Sequence, residues 1–296
     1  MPAALIDGKP ISLAIKEEAK KEAGELLRTK GITPGLAFIL VGDDPASEIY
    51  VRSKGKTCTE LGFHSVTETR PAATSQAELL DLIARFNADP AIHGILVQFP
   101  LPKHIDEMKV IEAIDYRKDV DGFHPINVGR LVIGQPALRP CTPAGIQEML
   151  IRSGHDPGGR HVVIVGRSNL VGKPVLNILL QKQRGANAVA TIAHTGAKDI
   201  ARYTRDADIV IAAIGRPGFI TGSMLKPGCV VIDVGINRIP DASKKSGTRI
   251  VGDVEFDSAS EVASAITPVP GGVGLMTIAM LMKNTVLAAS GSLYGG

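Results

Sequence analysis

Short apolar runs alternate with amphipathic stretches of helical period from one end of this chain to the other, and that alternation narrows the folds open to it more than any other feature. The runs at residues 36–41, 94–98, 161–166, 188–192, 208–213 and 230–233, with a shorter one at 64–67, read as strands. Between them, residues 12–30, a segment through Tyr50 that ends near Gly62, and residues 75–87, 171–183 and 276–289 read as helices. Runs that are apolar throughout have both faces buried, and strands separated by helices lie parallel. The expected fold class is α/β, with mainly parallel sheets covered by helices.

A chain of 296 residues suits two domains of ordinary size. A Gly- and Pro-rich stretch at 119–143 interrupts the alternation, and a new series opens with His161-Val162-Val163-Ile164-Val165-Gly166. The expected domains are therefore 1–141 and 142–275. The helix at 276–296 is too little for a third and should pack back on one of the two.

Net charge is +3, from 33 basic and 30 acidic residues with no basic block, which argues against nucleic acid and for a small anionic ligand. Trp is absent and aromatics are 4%, so the stacking platform of a single-strand groove is missing. No apolar run approaches the roughly 20 residues that span a bilayer. The start, Met1-Pro2-Ala3-Ala4-Leu5-Ile6-Asp7-Gly8, lacks the marks of a signal or transit peptide. A cytoplasmic protein with no membrane partner is expected. Cys58, Cys141 and Cys229 lack the paired spacing of a zinc site, so no metal is expected, and their odd number fits a reduced compartment.

Five segments carry candidate chemistry. Val165-Gly166-Arg167-Ser168-Asn169-Leu170-Val171-Gly172-Lys173-Pro174 lies where a strand passes into a helix, the place where backbone N–H groups meet a pyrophosphate. Ser168 stands where the G-x-G-x-x-G pattern has its second glycine, so a dinucleotide turn and a plain tight turn both remain open. The next strand ends in Ala193-His194-Thr195-Gly196, without the acidic residue that holds an NAD ribose. Together with Arg167 this favours NADP, although Asp199 slightly downstream leaves NAD open. Tyr50 and Lys54 are four residues apart, which puts a stacking ring and an amine on one helix face; a partly buried anchor and a solvated charge would show the same spacing. Asp119 and Asp121 precede Gly122 as candidate cleft carboxylates or as turn caps. Gln98 ends an apolar strand, at a ligand edge or as an amide serving the Pro100 turn. His124 and His194 have no partner at triad or metal spacing.

Taken together, these segments resemble the bifunctional methylenetetrahydrofolate dehydrogenase/cyclohydrolase (FolD-type) family. The resemblance rests on Tyr50-Val51-Arg52-Ser53-Lys54, Gly94-Ile95-Leu96-Val97-Gln98-Phe99-Pro100-Leu101-Pro102, Lys118-Asp119-Val120-Asp121-Gly122-Phe123-His124-Pro125 and Pro140-Cys141-Thr142-Pro143. The Gly166 to Pro174 turn and Thr267-Pro268-Val269-Pro270-Gly271-Gly272-Val273-Gly274 complete six matches in the family's order. It implies an N-terminal folate-binding α/β domain completed by the last helix, a Rossmann-like NADP domain, an active-site cleft between them, and a homodimer formed through the nucleotide domains. It also implies that Tyr50 stacks on the aminobenzoate of the folate substrate, that Lys54 is the main catalytic group, that Gln98 orients it, and that Asp121 binds the pterin. The remaining implied substrate contacts are Val51, Arg52, Ser53, Val97, Phe99 and the loop Pro270, Gly271, Gly272, Val273 and Gly274. Implied nucleotide contacts are Gly166, Arg167, Ser168, Thr195 and Ile236.

The implied activity is oxidation of 5,10-methylenetetrahydrofolate with NADP, then hydrolysis of the methenyl product to 10-formyltetrahydrofolate; a dehydrogenase lacking the hydrolytic step is the alternative. Two positions depart from the family pattern: Thr195 stands for a usual Ser and keeps its hydroxyl, and Leu275 stands for a usual Pro. Leu275 restores a backbone N–H and is expected to loosen the 270–274 loop. A shikimate dehydrogenase-like enzyme fits the Asp121-Gly122-Phe123 and Pro270-Gly271-Gly272 segments poorly. A non-catalytic binding protein has no need of Lys54 and Gln98.

Overall fold

Strands buried on both faces leave their backbone N–H and C=O groups no water to bond, so they must pair. In the computed structural model, which describes residues 2–244 and 247–294, they form a three-stranded and a six-stranded sheet, both wholly parallel. The chain divides into two compact units. One comprises Ala14–Cys141 and the residues from Ile278 on; the other comprises the chain up to Leu13 and Thr142–Thr277.

β1 (Ala4–Leu5) leads into the helix α1 (Gly8–Lys30). β2 (Gly35–Val41), α2 (Pro45–Glu60), β3 (His64–Arg70), α3 (Gln76–Ala88) and β4 (Gly94–Val97) then build the smaller sheet in the order β3-β2-β4. Every residue of β2 is buried. Against this sheet α3 packs Leu79, Leu82, Ile83 and Phe86, the i, i+3, i+4, i+7 stripe of an amphipathic helix. A capping box starts α3: the Ser75 hydroxyl accepts the Glu78 N–H and the Glu78 carboxylate accepts the Ser75 N–H.

Beyond its other end, after α4 (Glu107–Ala113), the Lys118 ammonium donates to the carbonyls of Phe86, Asn87 and Asp89 at 3.1, 2.8 and 2.8 Å. It satisfies acceptors that a helix end leaves open. The same residue accepts the Ile95 N–H at 2.8 Å, which lays the 118–121 segment along β4. Gly94 makes the approach possible, since a Cβ there would lie 2.6 Å from Val120.

The stretch 119–143 is not irregular throughout. It holds α5 (Pro125–Val132), and α6 (Cys141–Arg152) begins inside it. Pro125 reads from sequence as an interruption but occupies the first turn of α5, while His124 caps that helix by accepting the Ile126 N–H at 3.1 Å.

The larger sheet follows, with β5 (His161–Val165), α7 (Gly172–Leu179), β6 (Val189–Ala193), α8 (Ala201–Thr204), β7 (Ile209–Ala212) and β8 (Val230–Asp233). A hairpin of β9 (Asn237–Pro240) and β10 (Thr248–Val251), then α9 (Phe256–Val262), β11 (Ala265–Ile266) and α10 (Met276–Ser290), complete the chain. Strand order is β1-β11-β8-β7-β5-β6. Because β1 pairs with β11, the first residues group with this sheet and not with the 14–141 segment, unlike the expected 1–141 boundary. The order reverses at β5, with β6 on one side and β7 on the other, so a crevice opens beyond the carboxyl ends of β5 and β7.

Among the described residues one window, Val273–Ser290, is long and apolar enough by composition to cross a bilayer, but 56% of it is buried inside the protein. Its polar Asn284 is bonded internally, donating to the Val120 and Arg139 carbonyls at 2.8 and 2.9 Å. Those contacts are the mark of a core helix.

Candidate active site

Helix α2 begins with Asp44, whose carboxylate accepts the Ser47 N–H at 2.9 Å, and with Pro45 in the first turn. Ten positions past this cap stands Lys54, 4% exposed. Its amine lies 4.2 Å from the centroid of the Tyr50 ring, as the four-residue spacing requires, and donates to Gln98 Oε1 at 3.1 Å. Gln98 is held in turn: its Nε2 donates to the Phe99 carbonyl at 2.7 Å and its backbone N–H to Ile39 at 2.9 Å. Strand alternation turns Val97 and Phe99 the other way, toward the hydrophobic cluster of β2, β4 and α3.

Asp121 interacts electrostatically with Lys54. Burial lowers the Lys54 pKa below the ordinary lysine value, with Asp121 and Cys141 opposing the shift. Burial also pushes the half-buried Asp121 up to about 6, with Lys54 pulling down and Asp119 adding to the rise. The two shifts run toward each other, which eases proton exchange at the amine.

The two carboxylates of the 119–121 segment have different surroundings. Asp119, 2% exposed, accepts the His124 N–H at 2.8 Å and the Asn127 side chain at 2.9 Å, which is the turn-capping role. Asp121 has the amine. Gly122, directly after Asp121, has φ 73°, and a Cβ there would come within 2.5 Å of the Arg139–Pro140 peptide. Tyr50, Lys54, Gln98 and Asp121 are therefore brought together. Val51 is buried, Arg52 and Ser53 are exposed, and Arg52 lines a separate groove with Gly55, Lys56, Ser65 and Thr67. Sequence reading missed Asn284, although a lone amide in an apolar helical pattern was the available signal; it joins the Val120 carbonyl, just before Asp121, to the Arg139 peptide on which Gly122 packs.

In the other unit a cavity of about 500 Å³ opens at the reversal point of the larger sheet. Gly166, Arg167, Ser168 and Thr195 line it, with Lys198 and Arg216 as further cations. Gly166 has φ 128° and lies against the Ala213 carbonyl, leaving no room for a Cβ. Ser168, the departure from the glycine pattern, accepts the Val171 N–H at 3.1 Å and shapes the turn into α7. Asp199 also lines the cavity, but its carboxylate accepts the Ala201 N–H at 2.9 Å. Three cations, two hydroxyls and one already engaged acid form a donor set that fits a phosphate-rich dinucleotide. Lys198 and Arg216 were not picked out from sequence.

Ile236 does not line this cavity. It is 64% exposed and borders a smaller one, about 180 Å³, with Pro270, Gly271, Gly272, Val273 and Gly274. The Leu275 N–H, expected to loosen that loop, donates to the Gly272 carbonyl at 3.2 Å and closes a short turn over Val273–Leu275. It tightens the loop. Cys58, Cys141 and Cys229 are buried free thiols, and no group of three metal-ligating side chains forms among the described residues.

Comparison with known proteins bears on both halves. The tetrahydrofolate dehydrogenase/cyclohydrolase catalytic domain matches residues 6–121, and the NAD(P)-binding domain of the same name matches residues 140–293. The bifunctional protein FolD of Chlorobium phaeovibrioides is 58% identical over 95% of this chain and 96% of its own length. The chain belongs to the tetrahydrofolate dehydrogenase/cyclohydrolase family. Among solved members, the bifunctional FolD of Campylobacter jejuni aligns with a TM-score of 0.91 at 48% identity, covering 98% of this chain and 100% of that one. The Trypanosoma brucei methylenetetrahydrofolate dehydrogenase-cyclohydrolase, solved with NADP and an inhibitor, aligns at 0.92 with 40% identity over 100% of both chains.

Proposed function

We propose that this chain oxidises 5,10-methylenetetrahydrofolate with NADP and then hydrolyses the methenyl product to 10-formyltetrahydrofolate. The observation that carries the reading is the buried Lys54 amine, set between the Gln98 carbonyl oxygen and the Tyr50 ring and facing Asp121. The Campylobacter jejuni and Trypanosoma brucei relatives, matched along nearly the whole chain, are named for both activities, which favours this reading over a dehydrogenase-only one.

In the first reaction the substrate's methylene carbon gives up a hydride, which the nicotinamide accepts when NADP is bound. The protein's part is alignment in a site from which water is kept. Tyr50 offers a flat face to the aminobenzoate, and the Asp121 carboxylate accepts N–H groups of the pterin. Gly166 lets the backbone approach the pyrophosphate, while Arg167 and Thr195 meet the 2′-phosphate. Ile236 and the 270–274 loop, which share a second cavity of the nucleotide unit, would supply further ligand contacts.

The second reaction adds water to the methenyl cation and opens the ring. Lys54 takes a proton from the attacking water, because burial favours its neutral form and a cationic substrate beside it favours that form further. Gln98 accepts a hydrogen bond from the amine and fixes its direction. The protein acts as a cytoplasmic homodimer joined through its nucleotide domains. The direct test is to follow methenyl absorbance with methylenetetrahydrofolate and either NADP or NAD, then its decay after the nucleotide is exhausted. Absence of both nucleotide reduction and a methenyl signal, with either nucleotide, would overturn the reading.

A further inference from the structure

We infer that Asp253, which lines neither cavity, is a positioning residue that sets the wall of the nucleotide site before the nucleotide arrives. It is fully buried and lies where the chain returns from β10 toward α9. One carboxylate oxygen accepts two consecutive backbone N–H groups, from Ile214 at 2.6 Å and Gly215 at 2.8 Å. Its other oxygen accepts the Asn237 side-chain N–H at 2.8 Å.

Ile214 and Gly215 form the turn that leaves β7, at the carboxyl edge where the sheet order reverses. Ile214 and Arg216 face the nucleotide cavity. With φ 71° at Gly215 the turn has a conformation open to glycine, and two adjacent N–H groups drawn to one oxygen hold it there. Asn237 follows Ile236, which borders the Pro270–Gly274 cavity. Asp253 therefore ties the end of β7 to the start of β9. Its own backbone is fixed as well, because Asp233 at the end of β8 accepts the N–H groups of Gly235, Asp253 and Val254 at 2.9, 2.9 and 3.0 Å.

Two buried carboxylates without a cation among their hydrogen-bond partners serve only backbone and amide donors, an arrangement that orients loops rather than one that pairs charges. The inference rests on the nucleotide reading of the cavity. Asp253→Ala should raise the KM for NADP roughly tenfold or more, the scale of a misplaced positioning contact, with a smaller change in kcat. Hydrolysis of methenyltetrahydrofolate supplied directly, without nucleotide, should stay within about twofold of the parent. Asp253→Asn keeps an oxygen for both N–H groups, and a turned Asn237 amide can meet its NH2 group, so it should recover most NADP affinity.

Equal losses in both reactions would make Asp253 a general stability residue and overturn the inference, as would an unchanged KM in a folded Ala variant. Should the Ala variant fail to fold, hydrogen exchange of the parent's 209–216 segment decides: slow exchange without nucleotide supports a preset wall, and fast exchange overturns it. A parent that reduces no NADP would sink the functional reading itself, a separate result visible before any variant is made.

Discussion

Replacing Lys54 with Met separates the two proposed reactions. Met matches the lysine stem in length and fills the same 4%-exposed slot, so the core around α2 keeps its volume. What disappears is one hydrogen bond to Gln98 at 3.1 Å, worth about 1 kcal/mol net. The ammonium–ring contact at 4.2 Å goes too, worth about 0.5–2 kcal/mol. Relief from burying a charged amine offsets part of that loss. The melting temperature should therefore move by only a few degrees. Hydrolysis should fall about 10²–10⁴-fold, the usual value of a positioned proton acceptor. Hydride transfer should survive in part, because it asks alignment of Tyr50 and the nucleotide turn and no proton. Losing the Lys54 charge also lets Asp121 rise above its value of about 6. Assays at about pH 8.5 keep that carboxylate ionised in both proteins. Methenyl hydrolysis and NADP reduction are measured on the same preparation, with circular dichroism as the fold control. A folded Met variant that hydrolyses at the parent rate, or one that loses both reactions equally, would remove the proton-transfer role.

Arg167→Ala should weaken NADP binding about 10–100-fold, the loss of one charge-assisted contact, while NAD affinity changes little; equal losses for both nucleotides would show that Arg167 does not read the 2′-phosphate. Asp121→Ala should weaken folate binding and depress both activities together, and a fall in hydrolysis alone would refute its anchoring role. For the parent, the sign follows from a raised carboxyl: as pH falls through about 6 Asp121 takes up a proton, so folate KM should rise on the acid side, and the Ala variant should lose that limb. Lys118→Met should lower stability by about 1–3 kcal/mol, because three carbonyls at the end of α3 lose their donor; an unchanged denaturation midpoint would mean water replaces it fully.

Legibility followed sequence distance. Helices and strands with strong local periodicity, such as the Leu79-Leu82-Ile83-Phe86 stripe of α3 and the seven buried residues of β2, could be read because each residue's neighbours lie within a turn or on the adjacent strand. Tyr50 and Lys54 were legible for the same reason. The short helix α5 was not, because Gly122 and Pro125 carry the same signature in a helix approach as in an irregular loop. The hairpin of β9 and β10 was missed in turn, since Asn237–Pro240 and Thr248–Val251 are short, at most half-buried, and have no long run of apolar residues to announce them.

Polar residues whose partners lie far along the chain were the least legible of all. Lys118 reaches carbonyls 29 to 32 positions away, Asp253 reaches back 38 and 39 positions to Gly215 and Ile214, and Asn284 reaches 164 positions to Val120. In composition Lys118 and Asp253 are each one more solvated Lys or Asp, and only Asn284, a lone amide in an apolar helical pattern, carries a local signal, because a hydrogen bond to backbone asks nothing of the partner's side chain. Yet these are the groups that place the chemistry: Lys118 lays the 118–121 segment beside β4, and Asn284 holds the carbonyl just before Asp121 together with that of Arg139. A motif such as Lys118-Asp119-Val120-Asp121-Gly122 therefore mixes one chemical group with several that hold it in place. Substituting the supporting residues should move KM and stability before it touches the proton-transfer step, whereas Lys54 should do the reverse.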